Sequence, residues 1–127
     1  MTHSILIADD EENIVVSLEF MMKREGYRVS VARDGRQALE SIVRDPPDLV
    51  LLDAMMPGMS GFDVCQVVRA NDELRATKIL MLTAKGRDTD LARGSGVGVD
   101  AYVTKPFSTK ELAQKVRELL AQGAETR

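Results

Sequence analysis

The sequence predicts an α/β fold, a doubly wound parallel sheet with helices on both faces, and three observations predict it. Short apolar runs alternate with helical patterns five times along 127 residues. Two of those runs, Leu49-Val50-Leu51-Leu52 and Ile79-Leu80-Met81-Leu82, are apolar at every position. Strands covered on both faces look like that. The segments between the runs carry one-sided apolar stripes, so they read as helices packed on the sheet. Right-handed crossovers then restrict the topology.

Taken in order, the strands are predicted at residues 5–8, 28–32, 49–52, 79–82 and 101–103. The first helix places Ile14, Leu18, Met21 and Met22 at helical spacing. The second uses Ala38, Leu39, Ile42 and Val43 as its stripe, with Asp34 and Gln37 as a cap pair. The third starts at Ser60 and buries Val64, Cys65 and Val68. The last repeats Leu112, Val116, Leu119 and Leu120 behind Ser108 and Glu111, the spacing of a capping box. Residues 86–98 hold four of the nine glycines. Each interior glycine costs about 1 kcal/mol relative to alanine, so the fourth helix expected there is short or frayed. One domain is expected over residues 1–121, with a flexible tail over 122–127.

Composition excludes several function classes. Apolar residues are 44% and charged residues 29% of the chain, an ordinary globular balance. The net charge of −3 argues against direct binding of nucleic acid by bulk charge. One cysteine and one histidine make neither an internal disulfide nor a zinc site. No apolar run approaches the roughly 18 residues of a membrane span. The first strand runs straight into four acids, unlike a signal peptide. A cytoplasmic domain is the expectation.

In parallel α/β folds ligands gather at the carboxyl ends of the strands. Asp9 and Asp10 follow the first strand, Asp53 the third, Thr83 the fourth, and Lys105 with Pro106 the fifth. Three carboxylates in one hollow repel, and two charges about 4 Å apart interact by about 4 kcal/mol at an effective dielectric near 20. An oxygen-only set of this kind suits a hard divalent cation, Mg²⁺ being the common choice. A carboxylate nucleophile, a cation to screen it, an ammonium and a hydroxyl are equipment for phosphoryl transfer to aspartate.

Asp9-Asp10, then Asp53 with Met56-Pro57 and Gly61, then Thr83-Ala84, then Lys105-Pro106-Phe107, together resemble the receiver domain of two-component response regulators. The resemblance runs from residue 5 to about residue 120. It implies a flavodoxin-like five-stranded sheet in the order 2-1-3-4-5. It implies that Asp53 accepts a phosphoryl group from a sensor histidine kinase, a phosphotransfer protein or a small phosphodonor. Asp10, Asp53 and the Met55 carbonyl would hold Mg²⁺, with Asp9 acting through a water. Thr83 and Lys105 would contact the phosphoryl group, and the peptide bond before Pro106 would be cis. Thr83 and Tyr102 would form a switch acting on a surface of the fourth helix, fifth strand and last helix. That surface would change binding of an unnamed output protein or form a phosphorylation-dependent dimer. Such a domain catalyses its own phosphorylation and dephosphorylation without turning over a metabolite.

Blander readings stand beside these. Alone, Asp9 and Asp10 read as a helix start, which favours acids. Glu11 and Glu12 read as a solvated, dipole-compensating extension of it. Thr83 alone reads equally well as a β-branched strand residue, and Lys105 as a solvated lysine. Cys65 reads as a small buried hydrophobe, Phe107 as packing, and His3 as solvated. Met55, Met56 and Met59 could form an apolar lip by the site. Met55 and Lys85 are expected to flank the path of hydrolytic water. Residues 86–98 are expected to be mobile while Asp53 is unmodified and to become ordered on phosphorylation or with a partner. A haloacid-dehalogenase-like phosphatase needs Asp-x-Asp after the first strand, where the acids here are adjacent. A nucleotide- or flavin-binding fold needs a glycine- or hydroxyl-rich phosphate loop there, where four acids stand instead. A pseudo-receiver acting only as an interaction surface sits poorly with intact Asp10, Asp53, Thr83 and Lys105.

Overall fold

The computed structural model describes residues 2–84 and 98–125. Five strands form one parallel sheet: β1 (Ser4–Ala8), β2 (Arg28–Ala32), β3 (Leu49–Asp53), β4 (Lys78–Ala84) and β5 (Ala101–Lys105). Their order is β2-β1-β3-β4-β5, the predicted flavodoxin-like arrangement. Around the sheet lie α1 (Glu12–Arg24), α2 (Gly35–Arg44), α3 (Gly61–Ala70) and α4 (Thr109–Glu125), with a single 3₁₀ turn at Asp72–Leu74.

Alternation along the strands builds two cores from one sheet. Ile5, Ile7, Leu49, Leu51, Leu80 and Leu82 face α1 and α4, meeting Leu18, Met22, Leu112 and Val116. Leu6, Ala8, Val50, Leu52, Ile79 and Met81 face α2 and α3, meeting Ala38, Ile42, Val64, Cys65 and Val68. Each face demands apolar residues, so the central strands are apolar throughout, and β3 is buried over its whole length. The edge strands β2 and β5 are covered less and admit Ser30 and Thr104 on exposed positions.

Caps fix where the helices begin. The Asp34 carboxylate accepts from the Gln37 N–H at 2.8 Å, and the Gln37 side chain accepts from the Arg33 N–H at 3.0 Å. Ser60 and Asp63 exchange the two bonds of a capping box ahead of α3. Before α4, Ser108 accepts from the Glu111 N–H at 3.3 Å.

Several expectations are corrected. β3, β4 and β5 run past their apolar stretches, because parallel pairing continues through Asp53↔Leu82 and Ala84↔Lys105. Val43 is 56% exposed; one residue beyond buried Ile42, it is rotated about 100° away from the core. Val15 takes the buried position that Ile14 only edges, since it lines up with Leu18 and Met22. The expected fourth helix within residues 86–98 and the Lys85 position lie outside the described residues. No helix among the described residues is long and apolar enough to cross a membrane.

Arg69 locks the amino ends of β4 and β5 to α3. Its guanidinium donates to the carbonyls of Gly98, Arg75 and Thr77 and to Asp100, the last at 2.6 Å. The same Asp100 oxygen accepts from the Ile79 N–H at 2.7 Å. Replacing Arg69 by alanine leaves Asp100 with the Ile79 N–H alone and three carbonyls without the guanidinium. Arg69→Ala is expected to lower stability by about 2–3 kcal/mol, read as a fall in the urea midpoint at unchanged slope.

Candidate functional site

The last rungs of the strands carry the site. Asp53 is the final residue of β3 and Lys105 the final residue of β5, so their backbones are held by the sheet and only side chains can move. Asp9 follows β1, where its N–H bonds the Ala32 carbonyl at 3.1 Å. Its Oδ1 accepts from the Glu11 N–H at 2.9 Å, turning the chain into α1. Asp10 stands exposed in that turn.

Asp9, Asp10 and Asp53 each offer a carboxylate oxygen, and the three lie within 4.8 Å of one another. The Lys105 ammonium reaches into the same hollow, 3.0 Å from Asp9 Oδ2, 3.2 Å from Glu11 Oε1 and 3.4 Å from Asp53 Oδ1. Of these three contacts, the one to Glu11 has hydrogen-bond alignment. Asp9 Oδ2, fully buried, is close enough to pair electrostatically but accepts no aligned hydrogen bond.

Charge in the hollow is out of balance. Burial, and then the Asp9 carboxylate, push the Asp53 carboxyl up to about 7, against the pull of Lys105 and the Met55 N–H at 3.3 Å. Burial draws the Lys105 ammonium down. The close Asp9 carboxylate first, then the Asp53 charge and the Glu11 bond, outweigh that and hold it above the ordinary lysine value. Hard oxygen donors, a buried carboxylate oxygen without an aligned donor, and an exposed third carboxylate open to solvent fit a small divalent cation.

The structure therefore brings Asp9, Asp10, Asp53 and Lys105 together. Thr83 is buried in β4, one position past the Asp53 partner Leu82. Among the described residues no hydrogen bond joins its hydroxyl to the cluster. Tyr102 is half-buried against the core of the α2–α3 face, and burial raises its phenol. The Lys105–Pro106 peptide bond is cis. Met55 is exposed beside Asp53, whereas Met56 is buried and Met59 packs against the core, so the three do not make an apolar lip. Cys65 is buried and its thiol is pushed up to about 11, chiefly by burial. Phe107 packs on the α1–α4 core.

Glu11 and Glu12 are the residues whose part the sequence hides. Glu11 occupies the N-cap of α1 yet makes no side-chain cap bond, because its carboxylate goes to Lys105. Glu12 pairs with Arg33. Both partners lie far off in sequence, so local pattern sees only a helix start.

Gly61 closes the loop after β3. A Cβ there would stand 2.2 Å from the Asp53 carbonyl oxygen. Gly61→Ala forces the loop off the strand end, with an expected loss of about 1–3 kcal/mol. Thermal unfolding of that variant beside the wild type measures it.

A doubly wound sheet of this order, with an acidic hollow and a lysine at its carboxyl rim, defines an α/β protein of the receiver type. The chain belongs to the response regulator receiver domain family, whose model matches residues 5–117. It is 42% identical over 122 residues to the sensory transduction protein RegX3 of Mycolicibacterium smegmatis, covering 96% of this chain and 52% of that protein. The chain thus spans about half the length of that relative. A CheY-like response regulator receiver domain protein from Methanospirillum hungatei superposes with a TM-score of 0.94 at 26% identity, over 100% of both chains. The receiver domain of sensor histidine kinase PA1611 from Pseudomonas aeruginosa superposes at 0.88 and 29% identity, over 95% of this chain and 99% of that one. That structure holds a magnesium ion coordinated in its active site cleft.

Proposed function

We propose that this chain is a phosphoacceptor domain, residues 1–121, that takes a phosphoryl group onto Asp53. A sensor histidine kinase or phosphotransfer protein is the physiological donor. The observation that carries this reading is the single hollow shared by Asp9, Asp10, Asp53 and Lys105. An Asp53 oxygen bonds the phosphorus as the bond from phosphorus to the donor nitrogen breaks. Lys105 offers its ammonium to an oxygen of the incoming group, and Asp53 keeps its backbone fixed by β3 throughout. Asp10, Asp53 and the Met55 carbonyl would hold Mg²⁺, with Asp9 beside it. When bound, the ion neutralises carboxylate repulsion and the charge developing on the phosphoryl oxygens.

Phosphorylation adds charge and acceptor oxygens at the rim. Thr83 reaches them only by moving toward Asp53, and the room it leaves admits Tyr102. The surface around β5 and α4 thereby prefers a second arrangement, which an output protein or a second phosphorylated copy reads. The domain acts in the cytoplasm, contacts no nucleic acid directly, and turns over no metabolite. Incubation with acetyl phosphate and Mg²⁺, read by intact mass, is expected to show one added phosphoryl group per chain. No added mass, in protein shown to be folded, refutes the reading.

A further inference from the structure

We propose that Glu11 is a positioning residue that restrains the Lys105 ammonium and slows phosphoryl uptake at Asp53. The inference rests on the phosphoacceptor reading given above. Lys105 has three carboxylates within 3.4 Å, yet its aligned hydrogen bond runs to Glu11 Oε1 at 3.2 Å. Glu11 lies outside the group of acids whose oxygens could share a cation. Its carboxylate makes no bond to the helix start it caps. Lys105 is therefore the partner the structure gives this side chain, and the turn between β1 and α1 holds it there through the Glu11 N–H to Asp9 bond of 2.9 Å.

Transfer draws the ammonium, 3.4 Å from Asp53 Oδ1 in this structure, off Glu11 and toward the incoming group. With acetyl phosphate, an Asp53 oxygen bonds phosphorus while the bond from phosphorus to the acetate oxygen breaks, and acetate leaves with that electron pair. The phosphoryl oxygens gather negative charge at the hollow, and Lys105 must turn toward them. While it stays on Glu11, one of its three protons and part of its charge are engaged there, and the Glu11 carboxylate also repels the anionic donor. Glu11 is 60% exposed at its side chain, so water replaces the bond readily. The restraint is accordingly modest, a brake and not a block.

The test compares Glu11→Gln with Glu12→Gln. Glu12 lies in the same turn and carries the same charge, but its partner is Arg33. Two readouts are taken. In metal-free protein without donor, ¹⁵N NMR follows proton exchange of the Lys105 ammonium. With acetyl phosphate and Mg²⁺, intact mass follows the rate of phosphoryl uptake. Glu11→Gln is expected to quicken ammonium exchange and to raise uptake about threefold, the scale of an exposed ion pair. Glu12→Gln is expected to match the wild type in both. An uptake rate for Glu11→Gln at or below wild type, equal acceleration by Glu12→Gln, or unchanged ammonium exchange overturns the inference. A wild type that takes up no phosphoryl group overturns instead the phosphoacceptor reading, while the ammonium measurement still decides the restraint.

Discussion

Asp53→Asn is expected to abolish phosphoryl uptake from acetyl phosphate, with no added mass where the wild type gains one phosphoryl group. The amide oxygen is a far weaker nucleophile than a carboxylate, and the change also removes one of the three acids converging within 4.8 Å. The fold should tolerate it, since Asp53 is anchored by backbone pairing to Leu82 and by the Ala54 N–H to Leu82 carbonyl bond. Asp9→Asn provides the contrast. A receiver keeps Asp53 as its acceptor in that variant, so uptake falls without moving to another residue. A dehalogenase-like phosphatase would place its nucleophile after β1 and lose turnover of phosphate esters in Asp9→Asn while keeping it in Asp53→Asn. Peptide mapping of the phosphorylated wild type decides between them.

In metal-free protein, the same Asp53→Asn change is expected to stabilise the fold at pH 8 and to do little at pH 5. The folded state holds the Asp53 carboxyl up to about 7, against roughly 4 for a solvated carboxyl. Between those values the folded chain binds more protons than the unfolded one. Wild-type stability therefore falls as pH rises from about 4 to about 7 and levels off above. The groups facing Asp53 are Asp9, which opposes its ionisation, and Lys105, which favours it. Asparagine removes the penalty, but Lys105 loses a partner. The expected gain is about 2 kcal/mol at pH 8, measured as the difference in urea unfolding free energy with chelator present. A gain of equal size at pH 5 would show that carboxylate ionisation is not its source. Adding Mg²⁺ should raise the stability of the wild type more than that of the variant if the Asp53 carboxylate is a ligand as proposed, since only the former has that carboxylate.

Much of the fold is legible in the chain because burial on two faces leaves a plain mark. Leu49-Val50-Leu51-Leu52 announces a central parallel strand, and Asp34 with Gln37 announces a helix start. Edge strand β2 is read at its observed bounds, residues 28–32, although Ser30 and Arg28 alternate there with Val29 and Val31, because a half-covered strand leaves that alternation. Val43 misleads because an apolar residue on the rim of a helical stripe looks the same in sequence whether it is covered or 56% exposed.

The site divides along the same line. The sequence by itself determined which residue types end each strand, and hence that Asp9, Asp10, Asp53 and Lys105 are candidates for one rim. Only the tertiary structure decided how they share charge: that Asp9 Oδ2 is buried without an aligned donor, and that Lys105 bonds Glu11 across 94 positions of chain. The physical reason is range. Strand and helix signals arise within a few residues, whereas the direction of an ammonium among several carboxylates depends on side chains that meet only after β1, β3 and β5 have been laid side by side.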